Sequence, residues 1–323
     1  MAADLQTGEP VGFLCHRFSA MGGQNELQIH AETAAQARHA CAAAVQEVHR
    51  LEASYSRYRP DSLLSRINAA AGKGAVALDG ETAALMAYAD TCFKASGGLF
   101  DISSGVLRKA WDFSAREGTA RLPDAGTLAP LLARVGWLRV EWDGEQICLP
   151  EGMELDFGGI AKEYAADRAS AVLIAQGIQH GLVNLAGDIR VIGPRPAHHA
   201  DWRGGRAQST LPWHIGIRHP RREADTLCTV AMEHGALATS GDYERYIEFD
   251  GRRYCHILNP RTGMPVDHWQ SVSVIAPLCI AAGSTSTIAM LLGAQAPDFL
   301  RAQQVSYLAV NSATRQRSGQ FGD

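Results

Sequence analysis

The sequence predicts an α+β fold whose sheet is largely antiparallel. Three observations lead there. Strand-like segments outnumber helical ones across the 323 residues. Hairpin turns such as Phe249-Asp250-Gly251 join neighbouring strands. The second half is a run of strands rather than the strand-helix alternation of a doubly wound sheet.

The elements follow in order. GFLCHRFSAMG and QNELQIHAE alternate in polarity and predict a strand pair, and the Ala-rich stretch from Thr33 to about Tyr55 predicts an amphipathic helix. Pro60, Asp61 and Ser62 mark a loop, followed by a short helix ending near Ile67 and Asn68. Residues 82–96 form a helix stopped by Gly97 and Gly98. WLRVEWDGEQICLP reads as alternating strands, and a long helix runs from about Ile160 to Gln176, closed by Gly177. HGLVNLAGDIRVIG gives two strands around a Gly-Asp turn. Residues 194–212, poor in apolar side chains, read as an exposed loop. WHIGIRHP, TLCTVAME, ALATS, RYIEFDG, YCHILN and SVSVIAP are strand signals. CIAAGSTSTIAMLLG is a core helix carrying four consecutive hydroxyls, Ser284 to Thr287, and a last strand lies near Val305 to Val310.

Composition narrows the function. Hydrophobic residues make up 46% and charged residues 20%, which is globular. A net charge of -4 without a basic stripe argues against nucleic acid. No apolar run approaches the roughly 20 residues that span a bilayer. No secretory signal is visible, so a cytoplasmic location is expected, or a periplasmic one if a leader has been removed. Seven scattered cysteines without a C-x-x-C pair suggest reduced thiols.

Four stretches hold polar groups of the kind a site needs. In ELDFGGIAKEYAADRA a strand delivers Asp156, two glycines permit close backbone approach, and a helix N-terminus opens beside Lys162. That arrangement suits a phosphate or a carbonyl-bound cation, and equally a plain strand-to-helix turn with a solvated lysine. Asn184 and Asp188 flank a Gly turn in LVNLAGDIRVIG, where local turn chemistry is the simpler explanation. ALATSGDYERY gathers Thr239, Ser240 and Asp242 around Gly241, and ten residues later HILNPRTGMPV sets His256 at a strand end, as a base or as a structural histidine. In GGLFDISSGVLRKAWDF, Phe100 and Asp101 suit either an aromatic ligand or a hydrophobic staple at a helix start.

The order and spacing of these blocks, from AMGG near Met21 to Gly293, resemble the ApbE family of FAD:protein FMN transferases. SRYRPDSLLSRIN is similar to the family's S-x-Y-x-x-x-S-x-x-S-x-x-N, SGGLFDISSGVL to S-G-G-x-F-D-x-T-x-G-P-L, and LDFGGIAKEYAADRA to D-x-G-G-I-A-K-G-Y-x-x-D. LVNLAGDIRVIG, ATSGDYERY and HILNPRTGMPV resemble three further blocks. The resemblance implies one domain over residues 1–323 of T-fold-like architecture, binding FAD in a cleft between two lobes, with about ten residues loose at each end. It implies Mg²⁺-dependent transfer of FMN from FAD to a Thr of an acceptor flavoprotein, with release of AMP. Met21, Tyr58, Phe100, Asp101, Ile102, Asp156, Lys162 and Ile257 would line the FAD site, and His256 would act as general base. The Gly159 carbonyl and the Thr287 hydroxyl would be metal ligands.

The chain departs from the family pattern at four places. M-G-T is Met21-Gly22-Gly23, the Gly after the motif Lys is Glu163 on an expected helix surface, and Asn259 replaces an Asp in H-I-x-D-P. In the family's A-D-A-L-A-T-A-L, Gly283 stands at the Asp and Thr287 at the Thr. Loss of that carboxylate predicts a weak or absent metal site, restorable by Gly283→Asp. It also leaves two alternatives to the transferase, a non-catalytic FAD-binding protein and an FAD pyrophosphatase. A reductase keeping FAD as redox group lacks any nicotinamide-site motif.

Overall fold

The computed structural model describes residues 12–113, 120–197, 202–203, 206–207, 209–313 and 317–318. In chain order, β1 (Phe13–Ala20) and β2 (Gly23–His30) form the expected hairpin, and α1 (Ala34–Tyr55) follows. α2 (Leu63–Ala69) starts at Ser62, whose hydroxyl accepts from Ser65 N–H, and α3 (Gly80–Ala95) starts at Asp79, which accepts from Thr82 N–H. β3 (Val76–Ala77) lies between these helices in sequence. α4 (Ala125–Leu132) is a helix the sequence reading passed over, capped by Asp124 through Thr127 N–H. The stretch read as alternating strands contains only β4 (Glu141–Trp142) and β5 (Gln146–Cys148). Trp137–Arg139 makes a 3-10 turn instead, entered from Gly136 at φ 151°.

α5 (Ala161–Ala175) ends before Gly177 at φ 84°. β6 (His180–Leu185), β7 (Asp188–Gly193) and β8 (Arg195–Pro196) follow, then the short β9 (Trp202–Arg203), β10 (Arg206–Ala207) and β11 (Thr210–Leu211). β8 pairs with β11 within the stretch expected to be an exposed loop. The centre of that loop and both termini lie mostly outside the described residues. β12 (Trp213–His219), β13 (Arg222–Met232), β14 (Gly235–Gly241), β15 (Tyr246–Phe249), β16 (Arg252–Cys255) and β17 (Trp269–Ala276) match the predicted strand run. α6 (Cys279–Leu292), α7 (Ala296–Ala302), β18 (Ser306–Asn311) and β19 (Arg317–Ser318) complete the chain. From Cys279 to Ala302 one helical stretch is long enough to cross a membrane and holds an 18-residue window of mean hydropathy 1.3, and 61% of that window is packed inside the protein. All seven cysteines are free thiols.

The chain divides into two compact units, each built from three segments. Unit 1 comprises Met1–Glu52, Ala161–Thr239 and Ser273–Gly283. Its antiparallel sheet runs β1-β2-β6-β7-β14. α5 packs on β6 and β7. Leu27, Ile29, Val183 and Leu185 from the strands meet Ala165, Ala169 and Leu173 from the helix in a fully buried layer. The small alanines let helix and sheet approach closely, and each buried branched side chain contributes about 1.5–3 kcal/mol.

Unit 2 comprises Ala53–Ile160, Ser240–Val272 and Ser284–Asp323. It holds the three-stranded sheet β3-β5-β4 and the hairpin β15-β16. One of its cores gathers Leu107, Trp111, Ala120, Ile247 and Leu258. The Trp111 indole N–H donates to Gly263 O at 2.8 Å, which satisfies the one polar atom the ring takes inside.

Candidate functional site

In unit 1, β1 turns into β2 at Met21-Gly22, with φ of 55° and 74°. Two positive φ angles are what a two-residue type I′ hairpin needs. Met21 adopts this conformation without being glycine, and its N–H donates to Glu52 Oε1 at 2.6 Å. The departure at Gly23 has a packing cause. A Cβ there would lie 2.9 Å from Ala186 Cβ in the β6–β7 turn.

Lys162, on the first turn of α5, is not a solvated surface lysine. Its Nζ is 2.7 Å from Asp188 Oδ2 at the start of β7, and Asp188 is buried. Burial pulls the lysine pKa down, but the Asp188 and Glu163 carboxylates outweigh it and hold the ammonium above its ordinary value. Asn184 keeps the local role expected of it, accepting from Gly187 N–H at 2.9 Å, whereas Asp188 does more than shape a turn.

Glu163 overturns an expectation. Read as a helix-surface residue, it is 6% exposed. Its helical spacing puts it on the buried face of α5 with Ala166, Ser170 and Leu173, at i+3, i+7 and i+10. Desolvation and the nearby Asp188 carboxylate raise its pKa. One turn further on, Asp167 accepts the N–H groups of Cys279 and Ile280, both at 2.9 Å, and so caps α6 from α5. Arg190 Nε lies 3.2 Å from the same carboxylate. A cavity of about 610 Å³ in this unit, lined in part by Phe13, His30, Arg195 and Trp213, contains none of the predicted residues.

In unit 2, Asp156 is the electrostatic centre. Its Oδ2 lies 3.0 Å from both Arg57 Nη1 and Arg108 Nε, and its Oδ1 accepts from Gly158 N–H at 2.8 Å. Burial raises its pKa, but the two guanidiniums win and hold the carboxyl below the usual range. The backbone around it is tied down: Asp156 N–H donates to Ile102 O, and Leu155 is bracketed by the Asn68 amide. A Cβ at Gly105 would come 2.8 Å from Asp156 Cβ, so a glycine is needed there.

Phe100, Asp101 and Ile102 are buried together. Asp101 accepts from Ser103 N–H and Oγ through one oxygen and from Trp137 N–H through the other. Its carboxylate therefore braces the turn before the 3-10 helix Gly105–Ala110. The Phe100 ring packs on Gly159, where a Cβ would lie 3.0 Å from Phe100 Cζ. Tyr58 is 75% exposed, with the Arg57 guanidinium 5.4 Å from its ring centroid. His256 stands just past the end of β16, with Nδ1 3.2 Å from Arg245 O, and Ile257 beside it is buried. Asn259 does what an aspartate would at that turn, its Oδ1 accepting from Arg261 N–H at 2.9 Å.

Ser284, Ser286 and Thr287 of the hydroxyl run of α6 are likewise partnered within unit 2. Ser284 Oγ lies 2.7 Å from Tyr88 OH, and Ser240 Oγ lies 2.7 Å from Ser286 Oγ and 2.9 Å from Thr287 Oγ1. The helix is not interrupted; the hydroxyls satisfy one another against α3 and β14. Among the described residues no group of three or more His, Cys, Asp and Glu side chains could hold a metal ion.

The sequence reading missed Arg57, Arg108 and Asp167, named Ser240 without its partners in α6, and took Glu163 for a surface residue. For Glu163 a signal existed, since a charge on the alanine stripe of a helix is out of place there. The others take their roles from partners remote in sequence.

The profile of the ApbE family matches residues 21–309. An FAD:protein FMN transferase of Treponema pallidum is 34% identical over 265 residues, covering 78% of this chain and 72% of that protein. One from Klebsiella pneumoniae is 31% identical over 256 residues, with 77% and 74% covered. In three dimensions the chain is similar to the ApbE protein of Thermotoga maritima, with a TM-score of 0.83, 28% identity and 95% and 97% coverage. It is also similar to the apo form of the flavinyl transferase ApbE of Pseudomonas stutzeri, with a TM-score of 0.79, 25% identity and 98% and 96% coverage. Sequence blocks, fold and relatives agree, and the chain belongs to the ApbE family.

Proposed function

We propose that this protein is an FAD:protein FMN transferase that moves FMN from FAD to a Thr hydroxyl of an acceptor flavoprotein. The observation that carries the reading is its likeness, over most of both chains, to proteins named for that activity. In the reaction the Thr oxygen attacks the phosphorus on the FMN side of the pyrophosphate. The P–O bond to the AMP half breaks, AMP leaves with the bridging oxygen, and the Thr proton goes to a base.

His256 is the proposed base, since it is an imidazole placed just past the end of β16, with Nδ1 3.2 Å from Arg245 O. In unit 2, exposed Tyr58 offers a ring face for the flavin or adenine, and Arg57 and Arg108 supply positive charge around Asp156. Phe100, Asp101, Ile102 and Ile257 shape the wall and fix its backbone. In unit 1, Met21 and Lys162 are assigned to FAD as well, Lys162 as a cation next to a helix start.

Mg²⁺ is the proposed cofactor, with the Gly159 carbonyl and the Thr287 hydroxyl as ligands. These are hard oxygen donors, and Mg²⁺ keeps several waters, so a closed cage of side chains is not required. When bound, the ion neutralises charge on the pyrophosphate. The test is incubation with FAD, Mg²⁺ and an acceptor with a D-[ST]-G-[AS]-x-T type motif. Covalent flavin on the acceptor with equimolar AMP supports transfer; free FMN and AMP with an unlabelled acceptor identifies a pyrophosphatase instead.

A further inference from the structure

Gly283 of α6 and Glu163 of α5 fill one space between them. A Cβ at 283 would lie 2.4 Å from Glu163 Cγ and 2.9 Å from its Cδ and Oε1. Any side chain projecting from 283 would enter the volume that the Glu163 carboxyl already occupies. The departures at positions 163 and 283 are therefore one change. An acid stands on α5 where the family pattern has Gly, a Gly stands on α6 where the pattern has an acid, and the Glu163 carboxyl fills the space a side chain at 283 would enter.

That carboxylate is incompletely served. Glu163 Oε2 is buried and has no hydrogen-bond partner among the described residues. The nearby ammonium of Lys162 is ion-paired with Asp188 Oδ2 at 2.7 Å, the other acid oxygen of this group that is buried without a well-aligned hydrogen bond. With both acids ionised, the group of Glu163, Asp188 and Lys162 carries one negative charge in excess. Arg190 does not correct this, since it is paired with Asp167. A buried carboxylate oxygen with no donor acquires either a proton or a cation. A hard divalent ion prefers carboxylate oxygen, and chemistry on a pyrophosphate calls for one.

We propose that Glu163 is the carboxylate ligand for the divalent cation in this chain, supplied from α5 in place of the side chain that Gly283 lacks. The inference rests on the transferase reading above and replaces the expectation that the metal site is weak for want of an acid. It also reverses the expectation for Gly283→Asp, because an aspartate there has no room while Glu163 is present.

The test is Mn²⁺ binding to the full chain, followed by electron paramagnetic resonance and by calorimetry with Mg²⁺, each with and without FAD. Glu163→Gln keeps the shape and should weaken Mn²⁺ binding by about tenfold or more. Gly283→Asp alone should not tighten it. The double variant Glu163→Gly with Gly283→Asp moves the acid back to α6 and should bring affinity close to that of the parent. Circular dichroism and FAD binding in EDTA check that each variant is folded. Equal Mn²⁺ affinity in the parent and Glu163→Gln overturns the proposal, as does a parent that binds no metal under any condition, which would leave Glu163 holding a proton. If the parent nevertheless transfers FMN, only this inference falls; if the parent binds Mn²⁺ through Glu163 but does not transfer FMN, the functional reading falls and this site stands.

Discussion

Glu163 and Gly283 face each other so closely that one residue's side chain is the reason for the other's absence. Glycine inside a helix normally costs about 1 kcal/mol relative to alanine. At 283 the collision should reverse that sign. Gly283→Ala is expected to destabilise the protein by about 1–3 kcal/mol through overpacking. In a Glu163→Ala background the same substitution should instead stabilise by up to about 1 kcal/mol. Urea unfolding of the four proteins checks it, and equal effects in both backgrounds would mean that the two residues do not share space.

The Lys162–Asp188 pair gives a second prediction. Asp188→Asn removes the carboxylate in contact with Lys162 Nζ and leaves Glu163 as the remaining nearby acid; breaking a buried pair typically costs about 3–5 kcal/mol. Because the Lys162 side chain keeps 30% of its exposure, the cost should fall near about 3 kcal/mol. Lys162→Met with Asp188→Asn should recover much of the loss. The readout is the urea midpoint at unchanged m-value. No shift in Asp188→Asn would show that the pair carries no stability.

Asp156 should make stability depend on acid pH. Its folded pKa lies below the ordinary aspartate value of 3.8, because Arg108 and Arg57 favour the ionised form over the desolvation that opposes it. A group with a depressed folded pKa stabilises the protein above its unfolded pKa, and that stability is lost as pH falls through the folded pKa. Asp156→Asn is expected to cost about 2 kcal/mol at neutral pH. The gap between parent and variant should narrow steadily below pH 3.8. A gap that stays constant on acidification would remove Asp156 from the acid response.

His256→Asn tests the assigned base. It should lower kcat for FMN transfer by about 10²–10⁴-fold while FAD affinity changes little. The rising limb of the pH–rate profile should vanish with it. A parallel loss of FAD binding would make His256 a binding residue.

Most of the fold was legible in the sequence. Alternation in GFLCHRFSAMG and QNELQIHAE gave the first hairpin, and the alanine periodicity gave α1 to within a residue. α4 escaped because its start rests on one capping aspartate and Pro130 lies inside it. The predicted strand around YCHILN stops at Cys255, because Leu258 bridges Pro265 and Asn259 closes a turn that pulls the chain off the ladder.

The site was legible as blocks and much less so as contacts. Lys162 and Asp156 stood out as charges beside glycines, but their partners Asp188, Arg57 and Arg108 lie tens of residues away in sequence. The hydroxyls of α6 looked like an interruption because Tyr88 and Ser240, which satisfy them, come from α3 and β14. Glu163 and Gly283 were each read as separate departures, 120 positions apart, and only their juxtaposition in space shows that they compensate.

The most direct test of the account is mass spectrometry of an acceptor flavoprotein after incubation with this protein, FAD and Mg²⁺. The account predicts that the acceptor gains the mass of one FMN less water on a Thr, matched by one AMP released. An acceptor of unchanged mass with FAD left intact would contradict it.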